Sequence, residues 1–272
     1  LEKGYKVHGT SRDAEMATFS SLKRLGIKNQ IIFHSVALND FRSTSKVLED
    51  VAPDEIYNLA GQSSVGLSFE QPLETLESIA NATVNILEAI RFISCKCKFY
   101  NASSSECFGD TGKYPANEQT PFRPKSPYGV AKASSFWQVA NYRESYDLFA
   151  CSGIMFNHES NLRPKRFVTR KICKAAARIA LGSDEILNLG DISIKRDWGW
   201  APEYVKAMWM MLQQKNADDF VIATGHSSTL REFISAAFSA LDLNWENHVI
   251  SNPKLYRPSE IRSIYGSPNK AN

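Results

Sequence analysis

The sequence has little cysteine. Five occur among 272 residues (Cys95, Cys97, Cys107, Cys151 and Cys173), an odd number with no Cys-x-x-Cys pair. That argues against a disulfide framework and against zinc-type spacing. Cys95-Lys96-Cys97, the one close pair, reads as reduced thiols near a helix end. Long hydrophobic runs are missing too: no stretch approaches the roughly 18–20 apolar residues that span a bilayer. Nor is there an excess of one charge, since 32 Lys and Arg stand against 29 Asp and Glu, a net +3. A balance this even points to neither nucleic acid nor an anionic membrane, and it is compatible with an anionic small molecule. No internal repeat or low-complexity segment occurs. What is present is ordinary for a folded chain: 43% hydrophobic and 22% charged residues, which sets global disorder aside. The length suits one large α/β unit or two small lobes.

The opening Leu1-Glu2-Lys3-Gly4-Tyr5-Lys6-Val7 lacks the pattern of a signal peptide and reads as a helix end, a Gly stop and the start of a strand. The chain is therefore expected to begin inside an element, and to end abruptly at Asn269-Lys270-Ala271-Asn272. Short apolar runs at 7–10, 30–34, 55–59, 98–102 and 148–155 read as strands, the later ones covered on both faces. Stretches of helical period at 41–51, 73–95, 127–146, 167–181, 202–214 and 230–241 separate or follow them. The alternation predicts an α/β protein with a doubly wound parallel sheet. Residues 1–155 would form that Rossmann-like domain. Residues 156–272, with fewer clean strands, would form a smaller α/β lobe, part of 197–225 packing back on the first domain.

Two motifs carry chemistry. In Ser126-Pro127-Tyr128-Gly129-Val130-Ala131-Lys132, Pro127 can open a helix, placing Tyr128 and Lys132 four apart on one face. A phenol is a poor base at neutral pH, and a neighbouring ammonium is expected to lower its pKa. Such a pair can move a proton to or from a sugar hydroxyl. A surface Tyr and Lys on an ordinary helix would show the same spacing. Upstream, Asn101-Ala102-Ser103-Ser104-Ser105-Glu106-Cys107-Phe108-Gly109 follows the strand expected at 98–102. Ligands of open α/β sheets sit beyond the carboxyl ends of strands. A Ser104 hydroxyl there could hold the oxygen that Tyr128 deprotonates, and Glu106 could be a positioned base. Alone the segment is a Ser-rich turn; strand, Ser-rich turn and Tyr-x-x-x-Lys helix in this order are far more specific.

With these motifs the chain resembles the extended short-chain dehydrogenase/reductases that act on nucleotide sugars, and among them the GDP-mannose 4,6-dehydratases. The resemblance runs along essentially the whole chain. Its most specific segments are Asn157-His158-Glu159-Ser160, Phe167-Val168-Thr169-Arg170-Lys171-Ile172, Lys195-Arg196-Asp197-Trp198-Gly199 and Tyr256-Arg257-Pro258-Ser259-Glu260. It implies a hydro-lyase with NADP as cofactor, GDP-mannose as substrate, a homo-oligomeric assembly and a cytoplasmic setting, with no metal, nucleic acid or membrane partner. It implies that Tyr128 is the active-site base with Lys132 its partner, which also holds the cofactor ribose. Ser104 would hold the sugar hydroxyl and Glu106 would remove the C5 proton. Arg12 would clamp a ribose 2′-phosphate. Leu38 and the segment Leu59, Ala60, Gly61, Gln62 and Ser63 would line the cofactor, with His158 and Arg163 further contacts. Arg196 and Arg257 would bind the nucleotide phosphates, Lys171 and Glu260 other parts of the nucleotide, and Asn157 and Val168 would line the same pocket.

The chain departs from the family pattern in places. The Gly-rich loop after the family's first strand would precede Leu1. Ala37 and Ser267 stand where the family has Asp, and Leu162 replaces one of two successive arginines. Two other readings stay open: a related reductase or epimerase, against which Glu106 argues, and a non-catalytic nucleotide-sugar-binding subunit.

Overall fold

A computed structural model describes residues 1–272. Its strands are β1 (Val7–Ser11), β2 (Ile31–Ser35), β3 (Glu55–Asn58), β4 (Lys98–Ser104), β5 (Ala150–Met155), β6 (Asn157–Glu159), β7 (Leu187–Leu189), β8 (Lys195–Arg196), β9 (Trp198–Trp200), β10 (Phe220–Ile222), β11 (Ser228–Thr229), β12 (Val249–Ser251) and β13 (Ser263–Ile264). Its α-helices are α1 (Ser20–Arg24), α2 (Phe41–Val51), α3 (Val65–Glu70), α4 (Pro72–Leu76), α5 (Ala82–Phe92), α6 (Pro127–Tyr146), α7 (Val168–Ala180), α8 (Ala201–Leu212) and α9 (Leu230–Ser239). None is long and apolar enough to cross a membrane.

The central sheet has the order β10-β5-β4-β3 and is parallel throughout, and β1 and β2 form a separate parallel pair. Successive residues of a strand face opposite sides. Phe99, paired with Ala150, thus enters one core with Ile86, Leu87 and Ile90 of α5 and Val139 of α6. Tyr100, paired with Cys151, enters the other core with Tyr204, Met208, Met211 and Leu212 of α8. Helices on both faces explain why every residue of β5 is buried and why its sequence shows no apolar–polar alternation. The segment from α8 through β10 belongs to this body, because Val221 and Ile222 share the core of Tyr100 and β10 pairs with β5. A third core joins α7, α9, β7 and β12 through Ile172, Ile179, Leu187, Ile234, Phe238 and Val249.

Local signals set the helix ends. Asp40 accepts the Arg42 and Ser43 amides at 3.1 and 3.2 Å, and α2 stops at Ala52, φ 43°, before Pro53. Ser126 accepts the Gly129 amide at 3.0 Å with Pro127 in the first turn of α6. The helix expected at 73–95 runs instead as α4, a π-turn at Glu77–Asn81 and α5, ending at Phe92. Apolar periodicity cannot report one extra residue in a turn. Here the bulge carries Ser78 and Ile79 beneath Gly61.

Candidate active site

Strand β4 runs two residues beyond its expected end, because Ser103 and Ser104 pair with Ile154 and Met155 of β5. The chain then turns through a short 3-10 helix, Ser105–Cys107, whose Glu106 amide donates to Ser104 Oγ at 3.3 Å. Ser104 and Glu106 therefore stand on one turn at the carboxyl end of a central strand. Helix α6 crosses that turn closely. A Cβ on Gly129 would lie 2.8 Å from the Glu106 carbonyl oxygen, and Cys107 Sγ lies 3.8 Å from the Gly129 carbonyl oxygen. Tyr128, beside Gly129, is thereby set against Ser104 and Glu106, both of which act on its ionisation.

The electrostatics differ from the sequence expectation. Burial pushes the Tyr128 phenol up, outweighing the groups that favour phenolate, Ser104 through a hydrogen bond and Arg163 through its charge. Lys132 is not among those groups. It is 7% exposed, its Nζ donates to the Ala102 carbonyl oxygen at 2.7 Å, and it lies 5.9 Å from the centre of the Tyr128 ring. Burial brings Lys132 itself down to about 8. Two ionisable groups on one helix face each lose water, and that loss dominates. Burial also raises Glu106, while Arg196 and Arg257 draw it back and Glu260 adds to the rise.

That charge pattern brings a distant segment to the same place. Arg196, 5% exposed, donates from Nη1 to the Ile261 carbonyl oxygen at 2.8 Å and from Nη2 to Glu260 Oε1 at 2.8 Å. Arg257 Nη1 reaches the same Glu260 oxygen at 3.2 Å. One carboxylate thus holds two guanidiniums facing Glu106, an arrangement able to receive a diphosphate.

A second wall lies beyond β3. Asn58, Asn101 and Ser152 sit side by side on β3, β4 and β5, linked by Asn58 Nδ2 to Asn101 Oδ1 at 3.3 Å and Asn101 Nδ2 to Ser152 Oγ at 3.4 Å. The chain then passes through Leu59, Ala60, Gly61, Gln62 and Ser63, of which only Gln62 is not exposed. Gly61 has φ +114°, and a Cβ there would meet Ile79 Cγ1 at 2.7 Å and the Ser78 carbonyl oxygen at 3.0 Å. The Gln62 amide donates to Ser78 Oγ at 3.1 Å, so the π-turn fixes a bare stretch of backbone. His158, on β6, places Nδ1 2.8 Å from the Phe156 carbonyl oxygen. Arg163 Nε lies 3.2 Å from Glu159, its guanidinium is stacked on Phe167 at 3.7 Å, and its charge acts on both His158 and Tyr128.

The other expected residues make their contacts within the protein. Arg12, just past β1, has its side chain 85% exposed with Glu74 3.6 Å away. Leu38 packs on the core of Ile86 and Phe99, and Val168 on that of Ile172. Lys171 Nζ donates to the Asn188 carbonyl oxygen at 2.7 Å. Asn157 pairs with Trp198 across β6 and β9.

The family model described as GDP-mannose 4,6 dehydratase matches residues 1–272. The chain belongs to that family. It is 43% identical to GDP-mannose 4,6 dehydratase 1 of Arabidopsis thaliana, covering 100% of this chain and 78% of that one. It is 42% identical to GDP-mannose 4,6 dehydratase of Dictyostelium discoideum, covering 100% and 83%. Among solved structures it is similar to UDP-glucose 4-epimerase of Thermus thermophilus in complex with NAD, with TM-score 0.86, 25% identity and 100% and 85% coverage.

Within the family frame, two residues matter that sequence reasoning passed over. Asp197 is fully buried. Its carboxylate accepts from the Thr224 amide and hydroxyl at 2.9 and 2.7 Å, the Gly225 amide at 3.1 Å and the Gly266 amide at 3.4 Å. It ties the strand beside Arg196 to two distant segments, and an Asp beside an Arg carries no sequence signal for that. Gly129 is the second, since its need is set by Glu106 across the intervening chain. Gly129→Ala should destabilise the protein by about 1–3 kcal/mol through overpacking and lower activity by roughly tenfold or more. Thermal melts beside turnover would check this, and an unchanged variant would show that α6 does not set the Glu106 turn.

Proposed function

We propose that this chain converts GDP-mannose to GDP-4-keto-6-deoxymannose and water with NADP as cofactor. The observation that carries the reading is Glu106, a carboxylate enclosed with Ser104 and Tyr128 and faced by Arg196 and Arg257. A simple reductase or epimerase has no need of a base there.

The residues fit a nicotinamide cofactor. Gly61 lets the 59–63 backbone close onto Ser78 and Ile79, leaving most of that stretch exposed, and the buried Lys132 ammonium has one protein acceptor and donors to spare. Exposed Arg12 just past a strand suits a ribose 2′-phosphate and supports NADP over NAD. Lys132 would hold the ribose, residues 59–63 and Leu38 would line the ring system, and His158 and Arg163 would complete the wall. When bound, the cofactor would supply a reversible hydride acceptor, taking hydride from C4 and giving it back at C6. Tyr128, oriented by Ser104, takes the proton of the C4 hydroxyl as phenolate, the form that burial disfavours and that Ser104 and the Arg163 charge support. The resulting C4 ketone makes the C5 proton acidic, and Glu106 removes it. That proton leaves with the C6 hydroxyl as water, and the one released from the C4 hydroxyl balances the one returned to C5. Arg196 and Arg257 hold the diphosphate, with Glu260, Lys171, Asn157 and Val168 around the nucleotide.

By this reading residues 1–155 bind the cofactor and 156–272 mainly the nucleotide sugar, with 201–222 packed on the first part. Val130 and Trp137 on α6 are 51% and 62% exposed, beside Leu73 and Leu76 of the adjoining α4 at 75% and 40%. That apolar face supports a homo-oligomer.

The test is to incubate the chain with NADP and GDP-mannose and follow the sugar nucleotide by mass spectrometry. A product lighter by one water, without net reduction of NADP, is expected. Net NADPH consumption or formation would instead indicate a reductase or oxidase. Ligand binding without product would indicate a binding subunit.

A further inference from the structure

Strands β6 and β9 place His158 directly opposite Gly199. Early in α8 comes Tyr204, and its ring occupies the space that Gly199 leaves empty: a Cβ there would lie 2.3 Å from Tyr204 Cε2 and 2.7 Å from its hydroxyl oxygen. The same ring stacks on the His158 imidazole, with centroids 4.9 Å apart and planes at 22°. On its other side, His158 Nδ1 meets the Phe156 carbonyl oxygen at 2.8 Å. A carbonyl only accepts, so Nδ1 carries the proton of the neutral ring and Nε2 is left as an acceptor. Tyr204 is 3% exposed and its hydroxyl has no partner, so the ring and not the hydroxyl makes the contact.

We infer that Tyr204, seated on Gly199, is a positioning residue that holds His158 in the Nδ1-protonated form with Nε2 free to accept a hydrogen bond from the bound cofactor. The inference rests on the reading above that His158 faces the cofactor, whose carboxamide offers N–H donors. The neighbourhood favours the neutral ring. Burial lowers His158 and the Arg163 guanidinium lowers it further, together outweighing the Phe156 carbonyl, which favours the charged ring. Glu159 is engaged by Thr169 Oγ1 at 2.7 Å as well as by Arg163, and Asp197 acts on Tyr204.

The test reads the imidazole first, without cofactor. The protein has five histidines, few enough to assign His158 in nitrogen-15 spectra with a His158→Asn control. The parent should show the Nδ1-protonated tautomer and titrate below the ordinary histidine range. Tyr204→Phe should keep both properties. Tyr204→Leu and Gly199→Ala should mix the tautomers and move the titration back toward the ordinary range, Gly199→Ala standing in if Tyr204→Leu does not fold. A fixed tautomer in these variants overturns the inference, as does a Tyr204→Phe as disturbed as Tyr204→Leu. NADP affinity should fall about fivefold in Tyr204→Leu and Gly199→Ala, the worth of an aromatic pair, with GDP affinity unchanged. If His158→Ala leaves NADP affinity intact, the cofactor reading of His158 fails, and the tautomer still decides the positioning role.

Discussion

Glu106→Gln should abolish dehydration while leaving both ligands bound. Glutamine keeps the size and hydrogen-bonding capacity of the side chain and cannot take a proton. A positioned general base contributes about 10²–10⁴-fold, so turnover should fall by that factor, with Kd for NADP and GDP-mannose within about twofold. Oxidation at C4 needs Tyr128 and not Glu106, so the variant should accumulate reduced cofactor on the enzyme in a single turnover. Loss of that absorbance together with loss of product would move Glu106 out of the base role. The parent's acid limb should lie above the usual carboxylate range, because burial raises Glu106 more than Arg196 and Arg257 lower it. Arg257→Ala removes one of the two opposing charges and should move the limb further up. Between the unfolded and folded pKa values the folded state binds more protons, so this carboxylate costs stability as pH rises through that window. Glu106→Gln is free of that cost and should melt no lower than the parent at neutral pH, which separates lost chemistry from lost structure.

Two helices are legible to the residue from sequence, and for the same reason. Helix α2 lies between a capping Asp40 and Ala52-Pro53, and α6 begins at Ser126-Pro127. Local chemistry states those ends. Strand β10 is not legible: three residues carry no period, and its place beside β5 is decided by the cores of α8 and the sheet. The same holds for β7, β12 and the two-residue strands, whose partners lie far along the chain. The π-turn is hidden inside a sound helical pattern.

The site shows the same division. Ser104, Glu106, Tyr128 and Lys132 can be picked out because one turn and one helix hold them at short spacing. Resemblance assigns Arg196, Arg257 and Glu260 to the nucleotide, but their convergence on Glu106 appears only in the fold, since chain spacing says nothing of it. The sign of the Tyr128 shift is opposite to the one the sequence suggests. A Lys four residues away suggests attraction, while desolvation depends on what covers the helix face, and sequence does not state that.

That desolvation leads to the second large effect. Lys132→Met should inactivate the protein and stabilise it. The folded pKa of Lys132 is about 8 against an ordinary 10.5, so at pH 7 the buried ammonium costs about 3 kcal/mol. Removing it forfeits the hydrogen bond to the Ala102 carbonyl oxygen, about 1–2 kcal/mol. Methionine fills a similar volume, so the net gain should be about 1–2 kcal/mol, a few degrees in Tm for a chain of this size. The sign of the pH dependence follows from proton counting. Between pH 8 and 10.5 the unfolded parent binds more protons than the folded one, so parent stability rises with pH through that window and the advantage of the variant shrinks. Activity should fall on the order of 10²-fold or more, because no ammonium remains to hold the ribose and orient the cofactor. Melting curves for parent and variant at pH 7 and near pH 10 would decide it. A variant less stable at pH 7 would show that the Lys132 hydrogen bond outweighs the buried charge. A more stable, inactive one would show a lysine retained for chemistry at the expense of the fold.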